Sequence, residues 1–301
     1  MIVPEGLVPI VLRLTNAKAV FASEEKARER MRERALRPVS YAPPTRLGAD
    51  VDIVASRTGD GWPVYTLTPR RGRPRGHVVY VHGGGWVHEI FPQHWRLAAQ
   101  IAAESHTTVT VPIYPLVPYG TAAGAADGVT QIVLDRLQSG EPAVLAGDSA
   151  GGQIALSAAL QLRDRHGIAL ARTVAISPAV DLTFSNPRIP EIEPTDPWLA
   201  SGGASVFVES WRGSLEVTDP VVSPVNGDLA GLGPITVFSG TRDVLNPDAG
   251  LFVAAARDAG VDVEYVEREG LVHVFPLLPT RAGRAARVLI VDRIRRACAE
   301  R

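Results

Sequence analysis

The chain has 301 residues, 46% of them hydrophobic and 21% charged, and its 31 Lys and Arg against 32 Asp and Glu leave a formal net charge of -1. That balance describes a globular protein long enough to bury a large core, and it excludes the electrostatic footprint of a nucleic-acid binder. The lone cysteine, Cys298, can form no internal disulfide, so the fold needs no oxidising compartment.

The start, Met1 to Glu5, lacks the basic region of a signal peptide. The apolar run from Leu7 to Leu14 carries Pro9 and Arg13 and falls far short of the ~20 residues that span a bilayer. A cytoplasmic protein without a transmembrane segment is expected. Residues 1–45 show no strand pattern and read as an N-terminal helical cap segment. Within them Ser23 is a candidate N-cap, Glu24 and Glu25 fill the first turn, and Pro38 stops a helix that runs to Arg37. Its apolar side is thin (Ala27, Met31, Ala35), which predicts light packing and the behaviour of a mobile lid.

From residue 46 the pattern changes. Asp52 to Ser56 and Val64 to Thr68 flank Thr58-Gly59-Asp60-Gly61 and read as a hairpin. Buried-strand runs follow at His77 to Val81, Thr108 to Ile113, Ala143 to Ala146, Thr173 to Ser177, Pro234 to Ser239 and Val263 to Arg268. Helical patterns fall between and after them: Pro92 to Ser105, Gly120 to Leu137, the segment after Ser149, Pro247 to Ala259 and a last helix from Arg281. Strands alternating with helices mean an α/β fold, a mostly parallel sheet covered on both faces, with working residues at the carboxyl ends of the strands. The alternation breaks from Asp181 to Gly233, a stretch with six prolines and the aromatics Phe184, Trp198, Phe207 and Trp211. It reads as residues 181–233 inserted above a 46–301 core to complete the cap.

The most informative stretch is Gly147-Asp148-Ser149-Ala150-Gly151-Gly152, between a strand and a helix. Ser at a sharp strand-to-helix turn, with Gly two residues to either side, is the nucleophile-elbow pattern, which lifts the hydroxyl above the sheet edge. His82-Gly83-Gly84-Gly85-Trp86 follows the first parallel strand. The N–H groups of Gly83 and Gly84, with that of Ala150, are the candidate oxyanion hole. Phosphate cradling is the rival use of such glycines, but no Lys-Ser/Thr follows them. The base should come after Ser in this order, which leaves His166 and His273. His166 ends a helix before Gly167, an ordinary capping position, whereas His273 follows the last strand. Of the nine Asp residues between Ser149 and His273, Asp243 comes directly after a strand and is the candidate acid. Asp181 is the runner-up, and Asp148 reads as a brace for the elbow.

Together these motifs resemble the hormone-sensitive-lipase-like esterases of the α/β-hydrolase superfamily. The likeness spans residues 82–275: the His-Gly-Gly-Gly-Trp run, the Gly-Asp-Ser-Ala-Gly run, Gly240 to Leu245 with Asp243, and His273-Val274-Phe275. The family's Asp-Tyr-Arg-Leu-Ala-Pro-Glu segment is represented only by Ile113 to Tyr119, which keeps Tyr114, Leu116 and Pro118. The resemblance implies a helical cap over an α/β-hydrolase core and a serine carboxylesterase with the triad Ser149, Asp243 and His273. It also implies an acyl-enzyme mechanism with no cofactor and no metal. Trp86, Trp198, Phe207 and Trp211 are candidate pocket residues, expected to take short- to medium-chain esters. The expected partner is a small-molecule ester, with a homodimer allowed. Amide or lactone hydrolysis on the same triad stays open, as does a non-catalytic ligand-binding protein on a hydrolase scaffold, of the kind the plant gibberellin receptors resemble.

Overall fold

The computed structural model describes residues 2–299. Its strands are β1 (Val51–Arg57), β2 (Pro63–Pro69), β3 (His77–Val81), β4 (Thr108–Pro112), β5 (Ala143–Asp148), β6 (Arg172–Ile176), β7 (Ile235–Arg242) and β8 (Val263–Val272). They form one sheet in the order β1-β2-β4-β3-β5-β6-β7-β8. The hairpin β1–β2 pairs antiparallel, β2 pairs antiparallel with β4, and every later pairing is parallel. The N-terminal segment forms α1 (Val8–Leu14), α2 (Ala19–Ala22) and α3 (Glu24–Leu36). The sheet is flanked by α4 (Pro92–Ser105), α5 (Ala122–Leu137), α6 (Ala150–His166), α9 (Asn246–Asp258) and α10 (Arg281–Ala297), while α7 (Ile189–Ile192) and α8 (Ser201–Trp211) lie in the inserted stretch.

The strand period of two sorts the core. Val79, Val81 and Leu145 face α5 and α6 and pack with Val129, Val133 and Ile154. Their neighbours Val78, Tyr80 and Val144 face the other way, onto Trp95, Leu97 and Ile101 of α4 and Ile290 and Ile294 of α10. Leu156 and Leu160 of α6 meet Val237 of β7 and Phe252 of α9. A parallel strand buried on both faces explains why these runs are apolar throughout rather than alternating. Each such side chain contributes about 1.5–3 kcal/mol of burial.

Two strands run further than their hydrophobic stretches suggest. β7 continues past Ser239 to Arg242 and β8 past Arg268 to Val272, because pairing resumes at Arg242 and Val272 beyond an irregularity after Gly240. Such bulges re-aim a strand end. The residues that come next are Asp243 and His273.

The N-terminal segment is held more firmly than its composition predicts. Ser23 caps α3 as expected, accepting the Lys26 N–H at 3.4 Å. But Ala27 is fully buried, and Val20, Phe21 and Met31 pack in the cluster that holds Phe207 and Trp211. Arg34 turns inward to the carboxylate of Glu89 at 2.8 Å. Such a pair, once buried, is costly to break because each charge left behind has lost its water. Lys18 adds a second tie, donating to the main-chain carbonyls of Glu193 and Asp196 in the inserted stretch.

Leu145, fully buried in β5, tests the packing directly. Leu145→Ala is expected to cost about 2–5 kcal/mol, read as a lower urea midpoint with an unchanged slope.

Candidate active site

Ser149 directly follows β5 with φ 52° and ψ -121°, a conformation that residues with side chains rarely adopt. Its neighbours explain both the strain and the glycines around it. A Cβ on Gly147 would stand 2.3 Å from the Gly151 carbonyl oxygen, and one on Gly151 2.1 Å from the Val81 carbonyl oxygen. The turn is therefore as tight as the backbone allows, and it aims the start of α6 at the serine hydroxyl.

The bases and acids predicted from chain order meet here. His273 Nε2 lies 2.9 Å from Ser149 Oγ, and His273 Nδ1 lies 2.7 Å from Asp243 Oδ2. With Nδ1–H donating to the carboxylate, Nε2 is left to accept the serine O–H. Asp243 is fully buried, and its other oxygen accepts the Leu245 N–H at 3.0 Å. Burial alone would lower the pKa of His273. The charge and hydrogen bond of Asp243 outweigh it, so the imidazole titrates above its ordinary value. The loop is fixed from behind: Val274 donates its N–H to Ser177 Oγ at 3.1 Å. His166 lies at the C-terminus of α6 before Gly167, which closes that helix at φ 64°. Asp181 accepts the Thr183 N–H in a local turn.

The glycine run requires a correction. Gly83 does not offer its N–H to the cavity; it donates to Asp148 Oδ1 at 3.1 Å. The same carboxylate accepts from Tyr80 OH at 2.6 Å and from His94 Nε2 at 3.2 Å. Burial would raise the pKa of Asp148, but His94 and Tyr80 hold it below the ordinary carboxylate range. Asp148 therefore braces both the elbow and the glycine loop. Gly84 and Gly85, which line the cavity, have N–H groups with no acceptor among the described residues. His82 stacks on Tyr114, which donates its O–H to the His82 carbonyl, and burial pushes the His82 pKa down to about 4.

Above Ser149 lies a cavity of ≈ 300 Å³. Trp86 and Trp198 line it as expected, joined by Phe21, Phe184, Leu199 and Val244. Phe207 and Trp211 do not line it. Both are fully buried one layer back, where Phe207 packs edge-on against Phe21 and Trp211 stacks on Trp86. Gln153 Oε1 accepts the indole N–H of both Trp86 and Trp211, which satisfies two buried donors at once.

The model of the alpha/beta hydrolase fold family matches residues 78–277. The chain belongs to that family. Among its relatives in Mycobacterium tuberculosis, the candidate acetyl-hydrolase LipR is 30% identical over 224 residues, covering 72% of this chain and 71% of its own. A triacylglycerol lipase from the same organism is 33% identical over 225 residues, covering 73% of this chain and 46% of its own. In three dimensions a candidate esterase from Staphylococcus aureus superposes with a TM-score of 0.85 at 26% identity, over 92% of this chain and 95% of the other. This alpha/beta hydrolase is thus an enzyme of the esterase and lipase kind. Among its described residues no helix is long and apolar enough to cross a membrane.

Sequence reading missed the residues of this hydrolase that act from a distance. Tyr80 and His94 belong to a strand and a helix read as core, and nothing local marks them as partners of Asp148. Phe21 lies in a weakly patterned segment, and only the folded contact with α8 brings it to the cavity. Gly85 sits in the same glycine run as Gly83, and only the fold shows which of them faces the cavity.

Gly83 gives a sharp test of the Asp148 brace. A Cβ there would stand 2.3 Å from Asp148 Oδ2 and 3.0 Å from Ser149 Cβ. Gly83→Ala is expected to abolish ester hydrolysis while leaving the far-ultraviolet circular dichroism unchanged.

Proposed function

We propose that this protein is a serine carboxylesterase acting through an acyl-enzyme on Ser149. The observation that carries the reading is the unbroken line from Ser149 Oγ through His273 to Asp243, at 2.9 and 2.7 Å, on the floor of a largely apolar cavity. In the proposed mechanism Ser149 attacks the ester carbonyl while His273 takes its proton. Asp243 holds the imidazole in the required tautomer and stabilises the imidazolium. The N–H groups of Gly84, Gly85 and Ala150 receive the developing oxyanion, each contributing on the order of 3 kcal/mol to lowering the barrier. The imidazolium then protonates the leaving alcohol. Water attacks the acyl-enzyme by the same steps in reverse, releasing the acid.

A cavity of ≈ 300 Å³ walled by Phe21, Phe184 and Trp198 is at the small end of ligand pockets, which supports short- to medium-chain acyl groups. The relatives named as an acetyl-hydrolase and a triacylglycerol lipase support acyl hydrolysis.

Hydrolysis of p-nitrophenyl esters from acetate to palmitate tests both parts. Turnover is expected to peak at butyrate to octanoate and to disappear in Ser149→Ala. A wild type inert toward every ester while active on anilides or lactones would replace the substrate class.

The pH profile is a separate test. His273 must be neutral to accept the serine proton, and its pKa is raised, so activity falls as pH drops through that raised value. The acid limb of kcat/KM is expected above the ordinary imidazole value of about 6.5.

A further inference from the structure

A second buried carboxylate stands beside the acid of the triad and takes no part in the steps above. Asp196, in the loop between α7 and α8, is 2% exposed. Its Oδ1 accepts the N–H groups of Trp198 at 2.7 Å and Leu199 at 2.9 Å, and its Oδ2 accepts the N–H of Val244 at 2.9 Å. Trp198 and Leu199 are cavity wall; Val244 is the residue after Asp243. One side chain therefore ties the inserted stretch to the loop that carries the acid. The Trp198 indole in turn stands edge-on to the His273 ring, with centroids 5.8 Å apart at 89°. The imidazole thus has Asp243 hydrogen-bonded to it and Trp198 packed against it, and both are referred to the same carboxylate.

Keeping a carboxylate here is costly. Burial raises the pKa of Asp196, the neighbouring charge of Asp243 raises it further, and the three N–H groups oppose both. A loop that needed only a local turn would be served by a neutral Asn or Ser. Accepting from three amides on two separate chain segments uses both oxygens of a carboxylate, which no neutral side chain of this size offers. We propose that Asp196 is a positioning residue for hydrolysis, locking the Asp243 loop to the Trp198–Leu199 wall so that His273 keeps the orientation that reaches Ser149. The proposal rests on the reading of Ser149, His273 and Asp243 as the triad.

The charged groups around it are few. Asp243 and His273 face it from the ends of β7 and β8. Lys18 touches the Asp196 main-chain carbonyl at 2.9 Å, and Arg242 touches that of Thr195 at 3.0 Å. The negative charge of Asp196 adds to those of Asp243 and Asp148 in raising the pKa of His273.

The test is Asp196→Asn in the full chain, with active sites counted by a p-nitrophenyl phosphonate that labels the serine. Asn keeps one acceptor and turns an NH2 group toward a backbone N–H, which unlocks one segment from the other. The kcat per labelled site on p-nitrophenyl butyrate is expected to fall on the order of 10- to 100-fold, as for a small misplacement of reacting groups. KM should rise as the Trp198–Leu199 wall loosens. The acid limb of kcat/KM should move to lower pH, because a negative charge near His273 has gone. An unchanged kcat per labelled site with an unmoved acid limb, and only a lower Tm, would reduce Asp196 to a structural bracket and overturn the proposal. If the Asn variant does not fold, Asp196→Ser, smaller and still able to accept one bond, is read by the same two measures. A wild type that is neither labelled nor active defeats the triad reading itself; an active wild type with an indifferent variant defeats this proposal alone.

Discussion

The backbone of Ser149 is held where it would not stay by itself. A non-glycine residue at φ 52° stores strain on the order of 1–3 kcal/mol, and such strain persists only where the surroundings over-determine it. Here the surroundings are a strand and a helix in van der Waals contact at Gly147 and Gly151, with β3 pressed close enough that its Val81 carbonyl leaves no room for a Cβ. The sheet order follows the same demand, since β5 needs parallel neighbours on both sides, β3 and β6, to be fixed on either edge. Even the glycine loop is placed through this point, because the carboxylate adjacent to the serine in sequence holds the Gly83 N–H.

The strand ends show how much was legible beforehand. Apolar runs bounded by turns located the strands and the larger helices of the core, and chain order after Ser149 singled out His273 and Asp243. Those signals are local, because each depends on residues close in sequence. What stayed hidden depends on packing between distant segments. The continuation of β7 and β8 to Arg242 and Val272 is enforced by their mutual pairing across a bulge, not by their own hydrophobicity. Phe207 and Trp211 have the composition of pocket residues, yet Trp86 and Phe21 stand in front of them. Gly83 faces Asp148, whereas Gly84 and Gly85 turn to positive φ and line the cavity, a difference no spacing rule contains.

Charge in the N-terminal segment follows a similar logic. α3 presents a face of Glu and Arg that reads as solvated, and most of it is; Arg28–Glu24 and Arg30–Glu33 are exposed pairs worth little. Arg34 turns inward to Glu89, a few residues beyond the glycine loop, and Arg30 reaches the rim of the cavity. An inward cation converts a light contact into a specific one, and it ties the N-terminal segment to the part of the core beside the glycine loop.

Part of the cavity wall comes from segments other than those that carry Ser149, His273 and Asp243. Ser149, His273 and Asp243 follow β5, β8 and β7, whereas Phe21, Phe184, Trp198 and Leu199 come from the N-terminal segment and the 181–233 stretch. In the proposed esterase, part of the selectivity is therefore carried on loops and short helices outside the sheet. Substitutions there can redraw what fits without disturbing what reacts, so such a scaffold can change its diet while keeping its chemistry. Asp196 marks where that freedom ends, since a change there would reach both at once.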